Sequence, residues 1–78
     1  MTKFKWYWIE QRDGNEMLRH AKSGSLNHAC VTPYPDLGYR VEIWEGSSND
    51  GEWVELGLVP DLDAAKMIAQ LNVEETFV

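Results

Sequence analysis

The sequence predicts a single α+β domain over residues 1–78, an antiparallel sheet of three to four strands with a C-terminal helix packed on one face. Three observations carry this. Residues 39–45 and 52–59 form two alternating apolar and polar runs around a loop of Gly, Ser, Asn and Asp. Pro60-Asp61 then ends the second run and opens a helical pattern. The N-terminal third holds another aromatic-rich run, Phe4 to Gln11, followed by Asp13-Gly14-Asn15, a hairpin turn signal.

After that turn, residues 17–22 fit two patterns. They read as a return strand. They also read as a short helix capped by Asn15 and closed by Gly24. The strength of the turn and the weakness of so short a helix favour the strand. Residues 23–38 read mostly as a connector, with room for one helical turn in 25–31. Pro33-Tyr34-Pro35 imposes an extended path, and Asp36-Leu37-Gly38 is turn-like.

The 39–59 hairpin has a register written in its pattern. Pairing Glu45 with Glu52 sets Tyr39, Val41 and Ile43 against Val54, Leu56 and Leu58, the expected core face. Arg40, Glu42 and Trp44 then oppose Trp53, Glu55 and Gly57 on the other face. Asp61 is placed to cap a helix from Leu62 to Leu71 or Asn72. On a helical wheel Asp63, Lys66 and Gln70 mark a solvent stripe, and Leu62, Ala64, Ala65, Ile68, Ala69 and Leu71 cover most of the remainder. Residues 73–78 read as a short tail.

A chain of 78 residues makes a thin core, so the four Trp, three Tyr and two Phe carry much of the burial. The single cysteine, Cys30, has no partner for an internal disulfide. The opening Lys3-Phe4-Lys5-Trp6 lacks a signal-peptide pattern, and no apolar run approaches the ~20 residues of a membrane span. A cytoplasmic location and no membrane partner are expected.

The net charge of −6 is unevenly spread. Residues 1–31 hold five Lys and Arg against three carboxylates, whereas residues 32–78 hold Arg40 and Lys66 against ten. That balance disfavours direct nucleic-acid binding and favours a basic protein partner.

The candidate partner-binding residues are Glu42, Trp44, Glu45, Asp50, Glu52, Trp53 and Glu55. The two Trp are expected opposite each other on the face away from the helix, where an exposed pair offers a hot spot. Packing of the pair on itself and on the 23–38 connector is the structural alternative. Glu42 opposite Glu55 is a repulsive pairing that a basic partner would relieve, as would Arg40. His20, His28 and Cys30 match no structural zinc spacing, so no metal and no cofactor are expected. Pro33-Tyr34-Pro35 fits a rigid connector better than a polyproline docking peptide. Glu75-Thr76-Phe77-Val78 has the form of a C-terminal ligand for PDZ domains, a short and common pattern. No phosphate loop, nucleophile elbow or His-Glu-x-x-His run occurs, and no enzyme activity is expected.

The small size, the lone Cys and the run from Glu52-Trp53-Val54-Glu55-Leu56-Gly57 to Asp61-Leu62-Asp63-Ala64-Ala65-Lys66 resemble the small acidic accessory proteins of bacteriophages. That group includes anti-CRISPR and anti-restriction inhibitors. The strand-to-helix cadence is also similar to three-stranded arm-binding domains of phage integrases, whose DNA-binding sheets are basic where this one is acidic. The resemblance implies an inhibitor or adaptor of a host defence or nucleic-acid-handling complex, acting in the host cytoplasm. A small-molecule binder of nucleotide type, stacking its ligand on Trp, is the alternative. Arg40 is the only cation on that hairpin face to meet a phosphate.

Overall fold

The computed structural model describes residues 5–76. The chain runs through β1 (Trp6–Glu10), β2 (Glu16–His20), a 3-10 turn at Ala21–Ser23, β3 (Ala29–Tyr34), β4 (Gly38–Gly46), β5 (Gly51–Val59) and α1 (Leu62–Thr76). The strands form one five-stranded antiparallel sheet in chain order. The α+β class is as expected, but the sheet has five strands rather than three to four.

Residues 16–20 are the return strand, which settles the strand-or-helix ambiguity. The turn that precedes it is tied by the Gln11 N–H to the Asn15 carbonyl at 2.7 Å and by the Asn15 N–H to Asp13 Oδ1 at 2.9 Å. Gly14 supplies the positive φ of 91°.

The extra strand is β3, inside the segment expected to be a connector, and no helical turn forms in 25–31. Pro33 and Pro35 argue against a strand, because a proline cannot donate to a ladder. The sheet accommodates Pro33 through unequal pairing. β2 pairs with β3 only from Ala29 to Val31, while β4 pairs with it as far as Tyr34. Beyond Val31, β3 is an edge on the β2 side. Pro33-Tyr34 is thus paired backbone opposite Tyr39 and Gly38, not a free polyproline segment.

The β4–β5 register is as expected from Glu45↔Glu52 through Glu42↔Glu55. A bulge then shifts it by one residue, so Val41 pairs with Gly57 and Tyr39 with Val59. The expected core pairing of Leu56 and Leu58 is overturned. Val54 and Val59 pack on the core, while Leu56 and Leu58 are 39% and 48% exposed. Gly57, at φ 137°, accepts the backbone conformation that the bulge needs.

α1 lies across one sheet face, mainly on β4 and β3. Asp61 caps it, its Oδ2 accepting from the Ala64 N–H at 2.9 Å. Ala65, Ala69 and Val73 recur every fourth residue and pack against Leu18, Ala29, Val31, Val41 and Ile43. Two small side chains let the helix sit close to a sheet face already filled by large ones.

The helix runs to Thr76, so most of the expected tail is helical. Phe77 and Val78, the end of the PDZ-like pattern, lie outside the described residues, as do Met1 to Phe4. Of the expected solvent stripe only Asp63 is exposed. Lys66 pairs with Glu16 and sits 5.5 Å from the Trp8 ring. Gln70 Oε1 accepts from the Trp8 indole N–H at 3.2 Å. These contacts turn the polar side of α1 toward β1 and β2. Met67, Ile68 and Leu71, of which the last two were expected inside, are exposed instead.

Candidate interaction surface

The helix covers one sheet face and leaves the other open. Alternation from the core residues puts Arg40, Glu42 and Trp44 of β4, with Trp53 and Glu55 of β5, on the open face. The expected pairings are present: Trp44 opposite Trp53, Glu42 opposite Glu55, Glu45 opposite Glu52. The seven candidate residues nevertheless divide. Glu45 and Glu52 fall on the helix side of the sheet, and Asp50 lies in the loop.

The two Trp have different duties. Their rings meet edge to face, 5.3 Å apart and inclined at 73°. Trp44 also donates its indole N–H to the Ser47 carbonyl at 2.9 Å, fastening the strand to its own loop. The loop is closed by the Ser47 N–H on the Asp50 carbonyl and the Asp50 N–H on Ser47 Oγ, both at 3.0 Å. Trp53, 39% exposed, rests on this platform with its outer surface in solvent. Trp44 fastens the hairpin to its loop, and Trp53 is the more exposed ring.

The facing carboxylates are likewise unequal. Arg40 Nη2 lies 3.4 Å from Glu42 Oε1, relieving the repulsion from Glu55. Arg40 is itself held over the Tyr34 ring, 5.1 Å from its centroid. Glu42 is therefore partly shielded and Glu55 is exposed.

Beyond Trp53, β5 and α1 expose apolar residues that the sequence pattern placed inside or left unassigned. Apart from Tyr7 and Leu37, the exposed large apolar residues among those described all belong to β5 and α1: Trp53, Leu56, Leu58, Met67, Ile68 and Leu71. Residues 50–75 carry seven carboxylates and one cation, Lys66, already engaged by Glu16. Two signals pointed here. An isolated glycine inside a strand pattern, Gly57, marks a bulge. Alanines at 65 and 69 mark the stripe of closest approach, which leaves Met67, Ile68 and Leu71 off it.

The remaining candidates sit elsewhere. His20 and His28 are buried on the helix side, edge-on to Trp6 at 4.7 and 5.3 Å. Burial lowers both imidazole pKa values below the ordinary range. The nearby Lys5 and Lys22 add to the effect at His20, and His20 adds to it at His28. His20 Nδ1 accepts from the Lys22 N–H at 3.1 Å, which requires that nitrogen to be unprotonated.

Cys30 is buried at mid-sheet beside Thr32 and Asn15, and burial raises its thiol pKa. Among the described residues no three His, Cys, Asp or Glu side chains are grouped to hold a metal ion. A half-open cleft of about 450 Å³ lies between the 23–28 segment, the end of β4 and Val73, and Glu45 is the charged residue in its wall.

The described residues thus form a five-stranded antiparallel meander backed by one helix, with exposed apolar residues on β5 and α1. Comparison with protein-family models, curated proteins and solved structures finds no match to it.

Proposed function

We propose that this protein is an interaction module, an inhibitor or adaptor that binds a basic surface of another protein through its acidic, Trp-bearing hairpin. The observation that carries the reading is Trp53. It is a large aromatic held half in solvent by a rigid partner ring, beside the exposed Glu55, on a side of the molecule with no unengaged cation among the described residues. An aromatic anchor ringed by like charges is the composition of a hot spot for a cationic partner.

On the resemblance to small acidic phage proteins, the partner belongs to a host defence or nucleic-acid-handling complex, met in the host cytoplasm. The role is binding rather than catalysis, and neither nucleic acid nor membrane is the direct partner. No described helix is long and apolar enough to cross a membrane. A nucleotide-like ligand is the lesser reading, because the cleft beside Val73 offers a phosphate a carboxylate, Glu45.

Differential capture tests the proposal. Parent protein, Trp53→Ala and Glu55→Lys, each shown to melt like the parent or higher, are immobilised and exposed to the same lysate. The expected partner is retained by the parent, lost by both variants and released by salt. Equal retention by all three rejects this surface.

A further inference from the structure

We infer that the outer edge of β5 accepts an extended basic segment of the partner as a sixth strand. The inference rests on the function proposed above and specifies how the surface engages its partner.

Among the described residues β5 is the last strand of the sheet and pairs only with β4. Its outer N–H and C=O groups therefore face away from the sheet, the arrangement that strand addition uses. From Gly51 to Glu55 the strand pairs residue for residue with Gly46 to Glu42, and the bulge lies beyond that run. The regular stretch is about five residues long, enough for a short added strand, and the bulge stops the ladder there.

Apolar groups flank this edge on both sides. Trp53 borders it on the open face. On the other face Val54 borders it, and α1 rises behind. Lys66 and Gln70 of α1 reach Glu16 and Trp8 at the opposite end of the sheet. At 100° per residue Ile68 falls on the flank of the buried Ala65, Ala69 and Val73 stripe opposite to them, toward the β5 border, and it is exposed. A docked helix would reach one of these two sides. A strand alternates its side chains and reaches both.

Charge selects the occupant. A second copy pairing β5 on β5 would bring Glu52 and Glu55 against the same residues, with no Lys or Arg from Val41 to Ala65 to offset them. A strand alternating aliphatic and basic residues fits instead. Its aliphatic side chains meet Val54 and Ile68, and its cations meet Glu55 and the Trp53 ring.

The test uses three capped eight-residue probes: alternating Lys and Val, alternating Glu and Val, and the Lys-Val sequence N-methylated at every residue. N-methylation keeps the charges and removes the backbone donors. Binding is followed by Trp fluorescence, and amide hydrogen exchange by NMR. The Lys-Val probe is expected to bind about tenfold or more tighter than either control, with slowed exchange confined to outward amides of Gly51–Glu55. Ile68→Asp, a change at an exposed position, should weaken it about tenfold.

Equal binding of the N-methylated probe, or slowed exchange only at the β1 edge, overturns strand addition. If that happens while Trp53→Ala still abolishes binding, the hairpin surface stands and only its mode is wrong. No binding of the Lys-Val probe at about 1 mM, some 4 kcal/mol, overturns both.

Discussion

Val41 stands opposite Gly57, and this pairing decides which side of β5 faces the core. One inserted residue moves Leu56 and Leu58 out of the register that places them inside and brings Val59 in.

The core should therefore respond at Leu18 and not at Leu56. Leu18 is fully buried, and Leu18→Ala is expected to cost about 2–5 kcal/mol. Leu56→Ala should cost less than about 1 kcal/mol, as exposed sites do. Gly57→Ala should cost about 1–3 kcal/mol from backbone strain alone, since no atom lies within 4 Å of an added Cβ. Urea midpoints of the three variants check the ranking, and equal midpoints for Leu18→Ala and Leu56→Ala would contradict the bulge.

Gly51 is required by Trp44. A Cβ there would fall 2.8 Å from Trp44 Cε2 and Cζ2 and 2.5 Å from the Glu45 carbonyl oxygen. Gly51→Ala is expected to displace the Trp44 ring and break its edge-to-face contact with Trp53. Near-ultraviolet circular dichroism should show the change before any loss of far-ultraviolet signal.

Glu55→Lys separates stability from binding. It replaces a repulsive cross-strand pair with an attractive one to Glu42 and should stabilise by about 0.2–1 kcal/mol. The same change should slow association with a basic partner and weaken the salt dependence of its rate. A drop in melting temperature would show that Glu42 and Glu55 do not interact as the register implies.

Acid should loosen the fold through His20 and His28. Both imidazoles are depressed by burial, so the folded protein resists protons that the unfolded chain accepts near pH 6.5. Their contribution is complete above about pH 6.5 and is lost as pH falls through the depressed folded values. Lys5 and Lys22 beside His20 add to the loss. Denaturant midpoints at pH 7.5 and 5.0 should differ more for the parent than for His20→Gln or His28→Gln, and an unchanged difference would exclude these groups.

Much of the candidate site's geometry was legible because hairpins are local. Gly46 and Gly51 bracket the loop, and the alternation from Ile43 to Val54 pins Trp44 on Trp53 and Glu42 on Glu55. β3 was not legible, because Pro33 is unfavourable in most strands and the short reach of β2 that excuses it is a tertiary fact. The exposed side of α1 was hidden for a similar reason. A wheel bearing Leu, Ile, Ala and Met nearly all round does not say which arc meets the sheet.

The sequence by itself determined the α+β class, the acidic C-terminal half, the loop-proximal hairpin register and the helix start at Asp61. Each rests on neighbours in the chain or on composition. Only the tertiary structure decided that Trp44 is tied to its loop while Trp53 is the more exposed ring, that Leu56 and Leu58 turn outward, and that Met67, Ile68 and Leu71 of α1 are exposed. Those outcomes depend on one bulge and on the pull of Glu16 and Trp8 on the far side of α1. Such contacts join residues some fifty to sixty positions apart, beyond the reach of any local pattern.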